Sequence, residues 1–143
     1  MKKVFADTNV VLDFLLKRKG YFEAARTIMA LGYNKFCDLY MSSLSFSNIA
    51  YIARKQLKGD ELYDCFTELR ELLSVSPTTQ EEVDQAILLR AKDFEDALQY
   101  CSAKAIEADC IVTRNVQDFS FSTLVLLPPD EFVQKMKEIS NPE

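Results

Sequence analysis

The sequence predicts an α/β fold in which helices flank a mainly parallel sheet, and three observations carry that expectation. Short apolar runs at 4–6, 35–41, 108–113 and 124–126 alternate with longer segments whose apolar residues recur at helical spacing. That alternation is the signature of βα units joined by right-handed crossovers. The first run, Val4, Phe5 and Ala6, is apolar at every position, as a strand covered on both faces must be. Polar residues gather at the joints that follow the runs, and in open α/β sheets ligands bind beyond the carboxyl ends of the strands.

Taken in order, each element has a local cause. Thr8 and Asn9 are good N-cap residues for a first helix carrying Val10, Val11, Phe14 and Leu15, which should run out near Lys19 and Gly20. Phe22, Ala25, Ile28 and Met29 mark a second helix that closes near Gly32, ahead of the strand at 35–41. The serines at 42, 43, 45 and 47 open a helix with Phe46, Ile49, Ala50, Ile52 and Ala53 that ends by Gly59. Asp60 then caps a helix whose stripe of Leu62, Cys65, Phe66, Leu69, Leu72 and Leu73 is the clearest helical period in the chain. Val75 marks a short strand stopped by Pro77, and Thr79 with Glu82 has capping-box spacing for a helix through Ala86, Ile87 and Leu89. Asp93 opens a helix whose inner face is small: Ala97, Cys101, Ala105 and Ala108. After the strand at 108–113 and a polar loop come Leu124, Val125 and Leu126, then a terminal helix begun by Pro128 and Pro129 with Phe132, Val133 and Met136 inward.

A chain of 143 residues reads as one domain, 1–143, large enough to bury roughly two thirds of its unfolded surface. Met-Lys-Lys is followed closely by Asp7 and no run approaches spanning length, so a cytoplasmic chain with no membrane partner is expected. The four cysteines show no zinc-site spacing and read as buried apolar residues rather than a disulfide framework. There is no histidine, which removes Ser-His-Asp and Cys-His nucleophiles and His-ligated zinc. With three glycines in all, the chain also lacks a P-loop and a dinucleotide fingerprint. Catalysis would have to rest on carboxylates, with a hard metal. The formal charge of −5 argues mildly against binding nucleic acid through the bulk field. Lys17-Arg18-Lys19 and the group Arg54, Lys55 and Lys58 read as solvated helix ends.

Three polar signals converge in such a sheet: Asp7 after the first strand, Asp93 and Asp96 at a helix start, and Asn115 with Asp118 after the strand at 108–113. Acids brought together without a base repel one another, and a divalent cation resolves the repulsion; Mg²⁺ takes one or two carboxylates plus water and phosphate. Such a centre can activate water for in-line phosphoryl displacement. Each residue also has a structural reading. Asp93 fits an N-cap, Asp96 the acid of a capping box, and Asn115 and Asp118 turn positions, while for Asp7 the presence of Thr8 and Asn9 makes a capping role redundant.

Asp7-Thr8-Asn9-Val10-Val11-Leu12-Asp13, Ser43-Leu44-Ser45-Phe46-Ser47-Asn48, Asp93-Phe94-Glu95-Asp96-Ala97 and Val112-Thr113-Arg114-Asn115-Val116-Gln117-Asp118-Phe119 together resemble the PIN-domain family, in particular the VapC-like toxin ribonucleases of toxin–antitoxin pairs. The resemblance covers nearly the whole chain. It implies a PIN-like three-layer α/β/α sandwich and hydrolysis of RNA phosphodiester bonds with Mg²⁺ or Mn²⁺. By position it assigns catalysis and metal to Asp7, Asp96 and Asp118, with Asp93 a supporting candidate. Asn115 stands where many relatives have Asp. The resemblance has Thr113 orient the site through its hydroxyl and Arg114 meet the RNA backbone. The middle motif normally ends in Glu, where this chain has Asn48, an uncharged group able to offer a carbonyl oxygen to metal-bound water. A cognate antitoxin and a homodimer are the implied partners. Two other readings stay open: a degenerate PIN-like module that binds RNA or a protein, and an aspartyl-phosphate enzyme, which usually has a second Asp where this chain has Asn9.

Overall fold

The apolar run at 4–6 becomes the central strand of the sheet in a computed structural model that describes residues 1–140. Strands β1 (Lys3–Ala6), β2 (Asp38–Ser42), β3 (Ser74–Ser76), β4 (Cys110–Val112) and β5 (Val125–Leu127) lie in the order β3-β2-β1-β4-β5. Every neighbouring pair is parallel. The helices are α1 (Thr8–Leu15), α2 (Phe22–Tyr33), α3 (Ser43–Ile52), α4 (Asp60–Leu72), α5 (Gln80–Leu89), α6 (Phe94–Ala105) and α7 (Pro129–Ser140).

Strand period two sorts the side chains into two cores. Val4 and Ala6 join Leu39, Met41, Cys110 and Val112 in one cluster, closed by α1, α2, α4 and α7 through residues such as Val11, Ile28, Leu69 and Phe132. Phe5 and Ile111 face the other way and pack with Ala86 of α5 and Ala97 and Cys101 of α6. The result is the expected α/β/α sandwich. At Gly32, α2 passes close to its neighbours: a Cβ there would come within 2.9 Å of both Leu39 Cβ and the Leu72 carbonyl oxygen.

Element ends differ from expectation where backbone turns intervene. Helix α1 stops at Leu15 rather than near Gly20, because Lys17 adopts a left-handed φ of 50° and the Arg18 amide returns to the Asp13 carbonyl. The strand expected over 35–41 begins at Asp38, since left-handed Lys35 closes α2 and the Phe36 amide bonds the Leu31 carbonyl. Gly59, not Asp60, takes the cap position of α4, and Asp60 enters its first turn. The capping box of α5 forms as expected: Glu82 accepts both the amide and the hydroxyl of Thr79 at 2.7 Å. All four cysteines are free, and Cys37, Cys101 and Cys110 are buried. Among the described residues no helix is long and apolar enough to cross a membrane.

Candidate active site

After β1 the chain builds β2 and β3 to one side, then returns to lay β4 and β5 on the other, so the β1/β4 seam is where the strand order reverses. A crevice opens at such a reversal beyond the strand ends. Asp7 follows β1 and Thr113 follows β4. The Asp7 amide donates to the Val112 carbonyl at 3.0 Å, extending the seam, and Thr113 Oγ1 donates to Asp7 Oδ2 at 2.9 Å. Asp7 Oδ1 accepts the Thr8 amide at 2.8 Å. Asp7 itself is therefore the N-cap of α1. The cap expected of Thr8 or Asn9 falls one residue earlier, because Thr8 is already helical and its hydroxyl is spent on Ser45 at 2.6 Å. Asp7 is only 7% exposed, and burial pushes its carboxyl above the ordinary value against the opposing Thr113, Thr8 and Arg114 interactions.

Helix α6 brings the next acids. Asp93 is its N-cap, accepting the Asp96 amide at 3.1 Å. Asp96 returns no bond, so the capping-box reading of Asp96 does not hold: among the described residues its carboxyl has no hydrogen-bond partner. Burial first, then the charges of Asp93, Asp7, Asp118 and Glu95, push the Asp96 carboxyl up to about 7. Asp118, in a 3₁₀ turn at Val116–Phe119, lines with Asp93 and Asp96 a groove of about 620 Å³ that Arg90 and Lys92 also flank. Asn115 lines a different cavity, of about 280 Å³, with Tyr21 and Arg114. The geometry thus groups Asp118, not Asn115, with Asp96. Asn115 braces the seam, its amide donating to Thr113 Oγ1 at 3.0 Å. Asn48 of α3 donates from Nδ2 to Glu95 Oε1 at 2.9 Å, and burial followed by Asp93 and Asp7 raises the Glu95 carboxyl.

Behind these residues lie two fixed networks. Gln99 Nε2 donates to Thr8 Oγ1 at 3.1 Å and Ser45 Oγ at 2.9 Å, tying together the three helices that carry Asp7, Asn48 and Asp96. Arg114 pairs with Asp13, Nη2 donating to Oδ1 at 3.0 Å and Nε lying 2.9 Å from Oδ2 as an ion pair without hydrogen-bond geometry, and its guanidinium stacks 3.9 Å over the Tyr21 ring. Only 24% of the Arg114 side chain is exposed.

A family model described as PIN domain matches residues 3–117. This chain belongs to the PIN-domain family. The fold also matches VapBC2 of Rickettsia felis bound to a promoter DNA fragment, with 18% identity over 88% of this chain and 98% of that one and a TM-score of 0.67. A Mycobacterium tuberculosis toxin, VapC20, described as cleaving the sarcin-ricin loop, shares 14% identity over 87% and 99%, with a TM-score of 0.68. DNA-bound VapBC of Salmonella typhimurium shares 18% over 90% and 99%, also with a TM-score of 0.68. No curated protein sequence matches.

PIN-domain nucleases use divalent metal ions, which the acids here can be tested against. Among the described residues, no three acids gather into a ready-made ligand set. The donor chemistry nonetheless fits a hard cation. Beyond burial, the charges of Asp7 and Asp118 raise the proton affinity of Asp96 and that of Asp118 raises Asp7, and none of the three forms an ion pair among the described residues. Mg²⁺ needs only one or two carboxylates because it retains waters, so separated acids are compatible with it. The sequence reading missed Glu95, Arg90 and Lys92. Glu95 hides in a first turn where acids serve the helix dipole, and the two cations sit in a short connection with no pattern of its own.

Proposed function

We propose that this PIN domain is a metal-dependent endoribonuclease, the toxin of a toxin–antitoxin pair. The observation that carries the reading is the gathering of Asp93, Asp96 and Asp118 along one groove with buried Asp7 acting on Asp96, none of them ion-paired among the described residues, while Asp13, in the helix that Asp7 caps, takes the arginines. Asp7, Asp96 and Asp118 hold Mg²⁺ or Mn²⁺, Asp93 fixes the start of α6, and Asn115 keeps Thr113 turned toward Asp7. The bound ion supplies a water of lowered pKa and neutralises charge on the phosphoryl oxygens. Asn48 and Thr113 position water and carboxylate by hydrogen bonding. Arg90 and Lys92, which have no ion pair among the described residues, meet the RNA phosphates along the groove; Arg114, held by Asp13, contributes positive charge beside Asp7. An antitoxin that covers the groove, a homodimer, a single-domain chain and a cytoplasmic setting complete the proposal.

The second reading, an inactive module that binds RNA or a protein, is favoured by the neutral Asn48 and by the lack of a preassembled ligand set among the described residues. The deciding experiment incubates the purified, partner-free chain with a pool of structured RNAs in Mn²⁺ beside an Asp7→Asn control. Cleavage by the wild type alone supports the nuclease. Binding of RNA without cleavage under any metal supports the module.

A further inference from the structure

We propose that Glu95, oriented by the Asn48 amide, supplies a carboxylate to the metal centre of this domain from α6, where α3 offers only an amide. The inference rests on the nuclease reading of the same site and goes beyond it in assigning Glu95 a role. The bond from Asn48 Nδ2 to Glu95 Oε1, 2.9 Å long, joins residues 47 apart and bridges α3 to α6. A glutamate in an exposed first turn is ordinarily a free rotor whose carboxylate serves the helix dipole from solution. Here one oxygen is pinned by a side chain of another helix, while Oε2 has no hydrogen-bond partner among the described residues. Consecutive helical positions diverge by about 100°; Asp96 lines the groove and Glu95 does not, so Glu95 would reach the centre from the α3 side, where Asn48 holds it. The charges of Asp7 and Asp93 act on Glu95 as they do on Asp96, which places it in the same field. An acid at position 48 would face Glu95 with like charge; the amide–carboxylate pair keeps one negative charge there and fixes its position.

The test titrates the full chain with Mn²⁺ by calorimetry and follows RNA cleavage in parallel, comparing wild type, Glu95→Gln, and the swap Asn48→Glu with Glu95→Gln. Glu95→Gln is expected to weaken Mn²⁺ binding ~10-fold or more, and the swap, which exchanges acid and amide across the same bond, to recover most of it. Melting temperatures without metal should stay within ~3 °C of wild type, as for a surface substitution. Equal Mn²⁺ binding by wild type and Glu95→Gln overturns this inference alone, as does a Glu95→Gln loss that the swap leaves unrepaired. A wild type that neither binds Mn²⁺ nor cleaves overturns the nuclease reading and this inference with it.

Discussion

Asp7 caps the eight-residue helix α1 and Asp13 lies within it, and both are buried, at 7% and 1% exposure. They are treated in opposite ways. Asp13 lies in the C-terminal half, where the helix dipole disfavours a carboxylate, and the fold answers with Arg114 at 2.9 Å and Arg18 at 3.4 Å. Asp7 lies at the N-terminus, where the dipole favours it, yet it receives only neutral donors, the Thr8 amide and the Thr113 hydroxyl. A buried acid paired with bases is a structural joint. A buried acid left with neutral donors beside other acids has the chemistry that the proposed cation site requires.

The contrast is testable, and the largest expected effect is at Asp7. Asp7→Asn should lower RNA cleavage by ~10³-fold, about 4 kcal/mol of transition-state stabilisation, while metal-free stability in urea stays level or rises because a penalised charge has gone. A large loss of stability there would make Asp7 a second structural joint and erase the contrast.

Asp13→Ala should show the reverse, costing ~3 kcal/mol of stability because it strands Arg114 without its partner. Urea denaturation measures it, and a loss confined to cleavage would assign Asp13 to the chemistry instead.

A smaller effect tracks pH. The Asp96 carboxyl is raised from 3.8 to about 7 by burial and then by Asp93 and its other acidic neighbours. Between those values the folded chain binds more protons than the unfolded one, so metal-free stability should fall as pH rises through that window. Solvent screening of this partly exposed group leaves ~1 kcal/mol of it. Urea midpoints at the two ends of the window measure the slope, and Asp96→Asn should flatten it. A slope of the opposite sign would mean that these acids are already neutralised in the fold.

The smallest change separates the two arginines on Asp13. Arg18, longer in its contact and 32% exposed, should cost ~0.5 kcal/mol on replacement by Ala. A cost equal to that of Asp13→Ala would transfer the main partnership from Arg114 to Arg18.

Much of this was legible in the chain. The strand period, the Thr79–Glu82 box and most of the helical stripes formed as read, because each depends on residues a few positions apart, although Ile52, Ile87 and Ala105 turn outward and Ala108 lies beyond the end of α6. The errors fell at element ends, where left-handed Lys17 and Lys35 turn the chain, and where a side chain had two local options. Thr8 and Asp7 both suit a cap, and the winner was set by Ser45, 37 positions away, which claims the Thr8 hydroxyl. Asp96 fits a capping box by spacing, yet burial and then crowding by other acids set its state instead.

By itself the sequence determined the order and type of the elements and placed Asp7, Asp96 and Asp118 beyond the ends of strands or at the start of a helix, because hydrophobic period and capping chemistry are local properties of the chain. Tertiary structure alone decided the partners. The pairing of Arg114 with Asp13 spans 101 positions and that of Thr113 with Asp7 spans 106. Whether a buried acid meets a guanidinium or a hydroxyl depends on which strand the sheet lays beside it, and the sheet sets β4 against β1.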